Sequence, residues 1–121
     1  MNINIKKMGH VAILVEDVEK AANFYNEVFG FDILYIFENW GMVRKNKEDI
    51  AFIKKGSSVS LPHFGLRVSS HEEVNKVREK LIELGVNVLS EPQTHKDDSY
   101  SFLILDPDNN AVEIIYDPSI A

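Results

Sequence analysis

The sequence predicts an α+β domain built from two βαβββ modules with antiparallel strand pairs. Three observations carry this expectation. Two stretches resemble one another, Gly9-His10-Val11-Ala12-Ile13-Leu14-Val15 and Pro62-His63-Phe64-Gly65-Leu66-Arg67-Val68, and in each a histidine opens a run of strand-forming residues. Each stretch leads into a segment of helical spacing that ends at a glycine, Gly30 or Gly85. Short strand-like runs separated by polar turns then follow in both halves. A repeat of this kind means that one supersecondary unit has been used twice.

Met8 to Val15 alternates tightly and is rich in β-branched residues, which predicts a strand. Asp17 suits a helix N-cap, and Val18, Ala21, Ala22, Tyr25, Val28 and Phe29 follow at helical spacing up to Gly30. Phe31 to Phe37 is expected as a second strand, Asn39-Trp40-Gly41 as a turn, and Met42 to Lys45 as a third strand. Lys47-Glu48-Asp49 is expected as a polar turn and Ile50 to Lys54 as a fourth strand. Gly56-Ser57-Ser58 forms the loop between modules. His63 to Val68 begins the second module as a strand. Ser70 and Glu73 have the spacing of a capping box, and Val74, Val77, Leu81 and Leu84 line one helical face. Val86 to Leu89 is a short strand, Glu91 to Asp98 a polar loop, Tyr100 to Leu105 a strand, Asp106 to Asn110 a tight turn and Ala111 to Tyr116 the last strand.

At 121 residues the chain has the length of one domain, with modules at about 1–56 and 57–121. The net charge of −6 gives little electrostatic support for binding nucleic acid or anionic membranes. There is no cysteine, so this chain supplies no disulfide, zinc knuckle or catalytic thiol. The first seven residues lack a signal-like apolar core and no apolar run approaches about 20 residues, so a cytoplasmic protein without a membrane span is expected.

Side chains alternate across a strand. His10 therefore shares a face with Ala12 and Leu14, leaving Val11, Ile13 and Val15 for the helix. His63, Gly65 and Arg67 share a face opposite Phe64, Leu66 and Val68. Glu113 lies with Ala111 and Ile115, opposite Val112, Ile114 and Tyr116. The two histidines and the glutamate are thus left on the sheet face away from the helices. A carboxylate there needs compensation, and a metal held by two imidazoles and one carboxylate is one form of it. Aligning the halves sets Ala51 at the position of Glu113, so only three such ligands are present.

These segments resemble the vicinal oxygen chelate superfamily, which comprises glyoxalase I, extradiol dioxygenases, fosfomycin resistance transferases and bleomycin resistance proteins. The residues that carry the resemblance are Gly9-His10-Val11-Ala12, Ala22 to Tyr25 through Phe29-Gly30-Phe31, His63-Phe64-Gly65 and Asp106 to Glu113. The resemblance implies a U-shaped half-barrel cavity formed by the two modules, and a homodimer. It also implies metal ligation by His10, His63 and Glu113. The glyoxalase I glutamate falls on Ala51, the dioxygenase tyrosine on Leu103 and the transferase threonine on Ala12, while the transferase serine matches Ser101.

The expected function is that of a metal-dependent enzyme in which a divalent ion acts as a Lewis acid on vicinal oxygens of a small substrate, by dioxygenase, lyase, isomerase or thiol-transfer chemistry. Two imidazoles and a carboxylate favour Fe2+, with Mn2+, Ni2+, Co2+ or Zn2+ as the other candidates. Glu113 is also a candidate catalytic group. Arg67 either binds an anionic substrate group or reaches the rim to pair with a surface acid. Trp40, with Tyr35 and Phe37, either walls the pocket or packs in the core or a dimer contact. Ser101 and Leu103 share a face and are candidates for substrate contact, Ser101 equally for a structural role. His95, in the polar loop before the strand Tyr100 to Leu105, is either an acid–base group that swings over the pocket or a loop residue with no partner visible in the sequence. The alternative function is a metal-free binding or resistance protein of the bleomycin-resistance type.

Overall fold

The computed structural model describes residues 3–120. The chain forms two compact units, Gly9–His63 and a second that joins the residues up to Met8 with those from Phe64 onward. Its element order is β1 (Lys7–Val15), α1 (Val18–Phe29), β2 (Asp32–Ile36), β3 (Trp40–Lys45), β4 (Glu48–Lys54), β5 (His63–Arg67), α2 (His71–Glu83), β6 (Asn87–Val88), β7 (Gln93–Thr94), β8 (Tyr100–Leu105) and β9 (Ala111–Tyr116), followed by a 3₁₀ turn at Pro118–Ile120. The two βαβββ modules are therefore present. Among the described residues, no helix is long and apolar enough to cross a membrane.

In the first unit the strands lie in the order β2-β3-β4-β1. β1 pairs with β4 in parallel, setting His10 beside Asp49 and Ala12 beside Ala51. The β2–β3 and β3–β4 pairs are antiparallel. In the second unit the order is β5-β9-β8-β6, with β7 also on β8. β5 pairs with β9 in parallel, setting Gly65 beside Glu113. Apart from β7, the two units thus repeat one another in strand order and pairing, and the register matches Ala51 to Glu113.

α1 begins at Asp17, whose carboxylate accepts from the Lys20 N–H at 3.0 Å. It ends at Gly30, which adopts φ +73° and donates its N–H to Asn26 O at 3.1 Å. That left-handed conformation is cheap only for a residue without Cβ. Val18 and Ala22 meet Val43 and Phe52 in one core, with Ile13, Val15 and Tyr25 packed around them. Val11, which the alternation assigns to the helix side, is 43% exposed. Twelve helical residues span about 18 Å, against about 30 Å for the nine residues of β1, and α1 covers only the later part of the strand. The last turn of α1 likewise runs past the core, leaving Val28 and Phe29 half exposed beside Phe24.

α2 is capped by Ser70, which accepts from the Glu73 N–H at 3.1 Å. Val74, Val77 and Leu81 pack with Val68, Phe102 and Ile114, and Ile3 and Ile5 join this core from the N-terminal segment. Leu84, expected on that face, is the C-cap residue and is exposed, because the buried stripe ends one turn earlier at Leu81.

Three loops differ from expectation, the first being the turn expected at Asn39-Trp40-Gly41, since Trp40 and Gly41 already belong to β3 and pair with β4. The turn between β3 and β4 is Asn46-Lys47, both at positive φ, so Glu48 and Asp49 already belong to β4. Paired positive φ values are those of a two-residue hairpin turn, whose twist suits the flanking strands. That register sets Arg44 opposite Asp49. Arg44 Nε and Nη2 bond Asp49 Oδ1 and Oδ2 at 2.6 and 2.9 Å, and the Asp49 side chain is 3% exposed. The segment expected as a polar loop over Glu91–Asp98 contains β7, which turns back onto β8.

A Cβ at Gly41 would stand 2.7 Å from Val18 Cγ1 and 3.0 Å from the Tyr35 carbonyl oxygen. Gly41→Ala is expected to cost about 1–3 kcal/mol in denaturant unfolding, since the backbone oxygen cannot move aside. Arg44→Met removes both guanidinium bonds to the buried Asp49 carboxylate and should cost about 3–5 kcal/mol by the same measurement. In the β8–β9 turn, bonds from the Asn110 side chain and from the Asn110 and Asp108 N–H groups hold the Asp106 carboxyl below its ordinary value of 3.8. A lowered carboxyl pKa stabilises the fold above its unfolded value, and this contribution is lost as pH falls through the folded value. Asn110→Ala should raise the Asp106 pKa toward 3.8 when the carboxyl is followed by NMR.

Candidate metal centre

His10 enters the site from β1 and His63 from the first position of β5. His10 is buried and His63 half-buried. Their Nε2 atoms stand 3.0 Å apart, with the rings nearly perpendicular at 88°. His63 Nδ1 lies 2.5 Å from the Leu61 carbonyl oxygen. A carbonyl only accepts, so Nδ1 carries the hydrogen and Nε2 presents its lone pair toward His10. The short approach Leu61-Pro62 therefore sets the tautomer as well as the orientation of the ring.

The surroundings of His10 combine one ion pair with apolar side chains. Asp49, its partner in register, is held by Arg44. Two residues further along, Ala12 and Ala51 are buried together with Met42 and Ile53, and Tyr35 packs against them with its hydroxyl 3.5 Å from Met42 Sδ. Trp40 is half-buried and meets Tyr35 and Phe37, with ring centroids 5.0 and 4.9 Å away. Phe37, with Glu16, Asp17, Glu19 and Glu38, also lines a separate acidic groove that includes neither histidine.

In the second unit, three neighbouring strands bring a serine, a histidine and the glutamate into one row. Leu103 of β8 is directly opposite Glu113 of β9, and Ser101 lies two residues along the same strand. The Ser101 hydroxyl donates to Glu113 Oε2 in a short hydrogen bond. His95 follows β7 and places Nε2 2.6 Å from Ser101 Oγ and 3.9 Å from Glu113 Oε2. The one hydroxyl hydrogen goes to the carboxylate, so Ser101 Oγ accepts from His95 and Nε2 of His95 carries the hydrogen. Ser101 is 2% exposed and Glu113 partly buried.

Arg67 is 4% exposed. His71 stacks on Tyr100 at 3.6 Å. His10 and His63 offer two imidazoles and Glu113 one carboxylate, ligand types that could hold a metal ion. Sequence reasoning leaves His95 without a partner and does not single out Arg44 and Asp49. The paired charges flanking Asn46-Lys47 are a readable signal for the latter. For His95 the signal is weak, since its contact with Ser101 depends on the short β7 strand.

Comparison with known proteins finds relatives by sequence and by fold. A probable trivalent organoarsenical cleaving enzyme of Bacillus subtilis (strain 168) is 31% identical over 121 residues, covering 93% of this chain and 82% of that protein. The metallothiol transferase FosB of Lysinibacillus sphaericus (strain C3-41) is 29% identical over 119 residues, covering 92% and 82%. Among solved structures, methylmalonyl-CoA epimerase from Mycobacterium tuberculosis superposes with a TM-score of 0.77 at 16% identity, covering 93% of this chain and 89% of the epimerase. The 2,3-dioxygenase LapB from Pseudomonas sp. KL28 superposes with a TM-score of 0.79 at 19% identity, with 94% of this chain matching 43% of the dioxygenase. These two structures share its fold. Residues 7–114, nearly the whole chain, match the Glyoxalase/Bleomycin resistance protein/Dioxygenase superfamily, and the protein belongs to that family.

Proposed function

We propose that this protein is a divalent-metal-dependent enzyme acting on a small molecule, with His10, His63 and Glu113 as the metal ligands. The observation that carries this reading is the convergence of the two imidazoles, Nε2 to Nε2 at 3.0 Å. Two nitrogens each about 2.0–2.1 Å from one ion, at roughly right angles, stand about 2.9 Å apart. The register supports Glu113 as the third ligand. It lies beside Gly65 in the β5–β9 pair, and Gly65 is two residues from His63 on the same strand face. The donor set of two neutral imidazoles and one carboxylate suits Fe2+ and the neighbouring divalent ions.

When bound, the ion supplies Lewis acidity to neighbouring oxygens of the substrate. The chain's own residues do the rest. Near His10, the Ala12, Met42, Ala51 and Ile53 cluster provides an apolar wall. Arg67, two strand positions beyond Gly65, supplies a permanent positive charge for an anionic group of the substrate. Trp40, braced by Tyr35 and Phe37, offers a rigid aromatic surface. Glu113 is the candidate to accept a proton from substrate. The relatives support small-molecule chemistry without naming the substrate. A thiophilic arsenic centre, in particular, would find no thiolate in this chain. The half-exposed Phe24, Val28 and Phe29 support self-association as a homodimer.

Protein purified without chelator should carry close to one equivalent of transition metal per chain by elemental analysis. Added Mn2+, Fe2+, Ni2+ or Zn2+ at a hundred times its dissociation constant should stabilise the fold by about 2.7 kcal/mol, read as a shift of several degrees in Tm. His63→Ala should abolish both effects. Metal content below about a tenth of an equivalent, together with no Tm shift for any of the ions, would leave a metal-free binding protein as the correct description.

A further inference from the structure

We propose that His95 and Ser101 form a positioning chain that holds the Glu113 carboxylate in its ligating orientation. This inference rests on the reading of Glu113 as a metal ligand and deepens it.

The strongest support comes from where the two modules differ. They repeat one another in strand order and pairing, yet β7 has no counterpart in the first. The extra strand occurs in the module that carries a carboxylate, whereas Ala51 occupies the matching place in the other. Gln93 pairs with Ser101 and Thr94 with Tyr100, so β7 lies alongside the serine. His95 is then fixed by its own backbone. Its N–H donates to Ser99 O at 2.8 Å, and its carbonyl accepts from the Asp98 N–H at 3.0 Å. The turn is tied further by Asp97, whose carboxylate accepts from the Ser99 N–H at 3.0 Å and the Ser99 hydroxyl at 2.6 Å. A tightly bonded hairpin thus carries one imidazole to a buried hydroxyl.

The hydrogen-bond directions run one way. His95 Nε2–H donates to Ser101, and Ser101 donates to Glu113. Every donor is spent on the next acceptor, so the chain fixes one rotamer of the carboxylate. Ser101 is 2% exposed, so both of its bonds are made away from solvent. A glutamate side chain has three rotatable bonds, and holding one oxygen removes freedom that metal binding would otherwise have to remove. Partners of this kind typically change metal affinity about 10–100-fold when lost. His95 and Ser101 are positioning residues, since they act through Glu113.

The test compares wild type, His63→Ala, Ser101→Ala, His95→Ala and His95→Gln for Mn2+ affinity by electron paramagnetic resonance and for the visible absorption spectrum of the Co2+-loaded protein. Gln keeps a terminal N–H donor. Ser101→Ala and His95→Ala should weaken Mn2+ binding about 10–100-fold and alter the Co2+ spectrum, with His95→Gln recovering most of the loss. Wild-type binding that His63→Ala abolishes, with Ser101→Ala and His95→Ala indistinguishable from wild type in affinity and spectrum, would overturn the positioning chain alone. Wild type that binds neither ion would overturn the metal reading and this inference with it. Should Ser101→Ala fail to fold, the two His95 variants decide, because their side chain is half-buried on a surface hairpin.

Discussion

Each module is closed by a parallel strand pair, β1 with β4 and β5 with β9, and the remaining structure depends on that pairing. Parallel neighbours cannot be joined by a tight turn, so a helix and further strands must intervene. The helix then covers one face of the sheet and takes the branched side chains. What stands on the other face is set by the register of the parallel pair alone. It brings Asp49 beside His10, Ala51 beside Ala12 and Glu113 beside Gly65. A slip of one residue would exchange the faces and bury the wrong set.

The uncovered face collects polar groups that a sheet interior normally excludes, and each is compensated locally. Asp49 has the Arg44 fork, His63 has the Leu61 carbonyl, and Glu113 has Ser101. Such compensation is required because a buried charge or unpaired donor costs several kcal/mol, on the order of the net stability of a small domain. The result is a set of side chains with restricted rotamers. That is the condition under which two imidazoles and a carboxylate can serve one ion without reorganising.

The two modules keep one framework and diverge at the matched positions Ala51 and Glu113. Strand order and core survive the exchange of Glu113 for its counterpart Ala51, because both side chains leave the helix-facing core untouched. The site, by contrast, changes with one residue or one short strand. The family is therefore legible from the framework, whereas the reaction depends on a few positions on the open face.

Much of this was open to reading along the chain. The α-helix starts at Asp17 and Ser70, the β8 and β9 spans, the two-module order and the histidine face all follow from local spacing and from side chains that bond their own backbone. What escaped was non-local. By local pattern Arg44 falls in a strand, Asp49 in a polar turn and His95 in a loop; the Asn46-Lys47 turn puts the first two in register, and β7 lays His95 against Ser101. Val11 and Phe29 obey the apolar period yet lie beyond the reach of the core. The sequence by itself determined the elements, the repeat and the identity of the three candidate ligands, because periodicity and capping act over a few residues. Only the tertiary structure decided the partners of those ligands, because strand register is settled by pairing between segments distant in the chain.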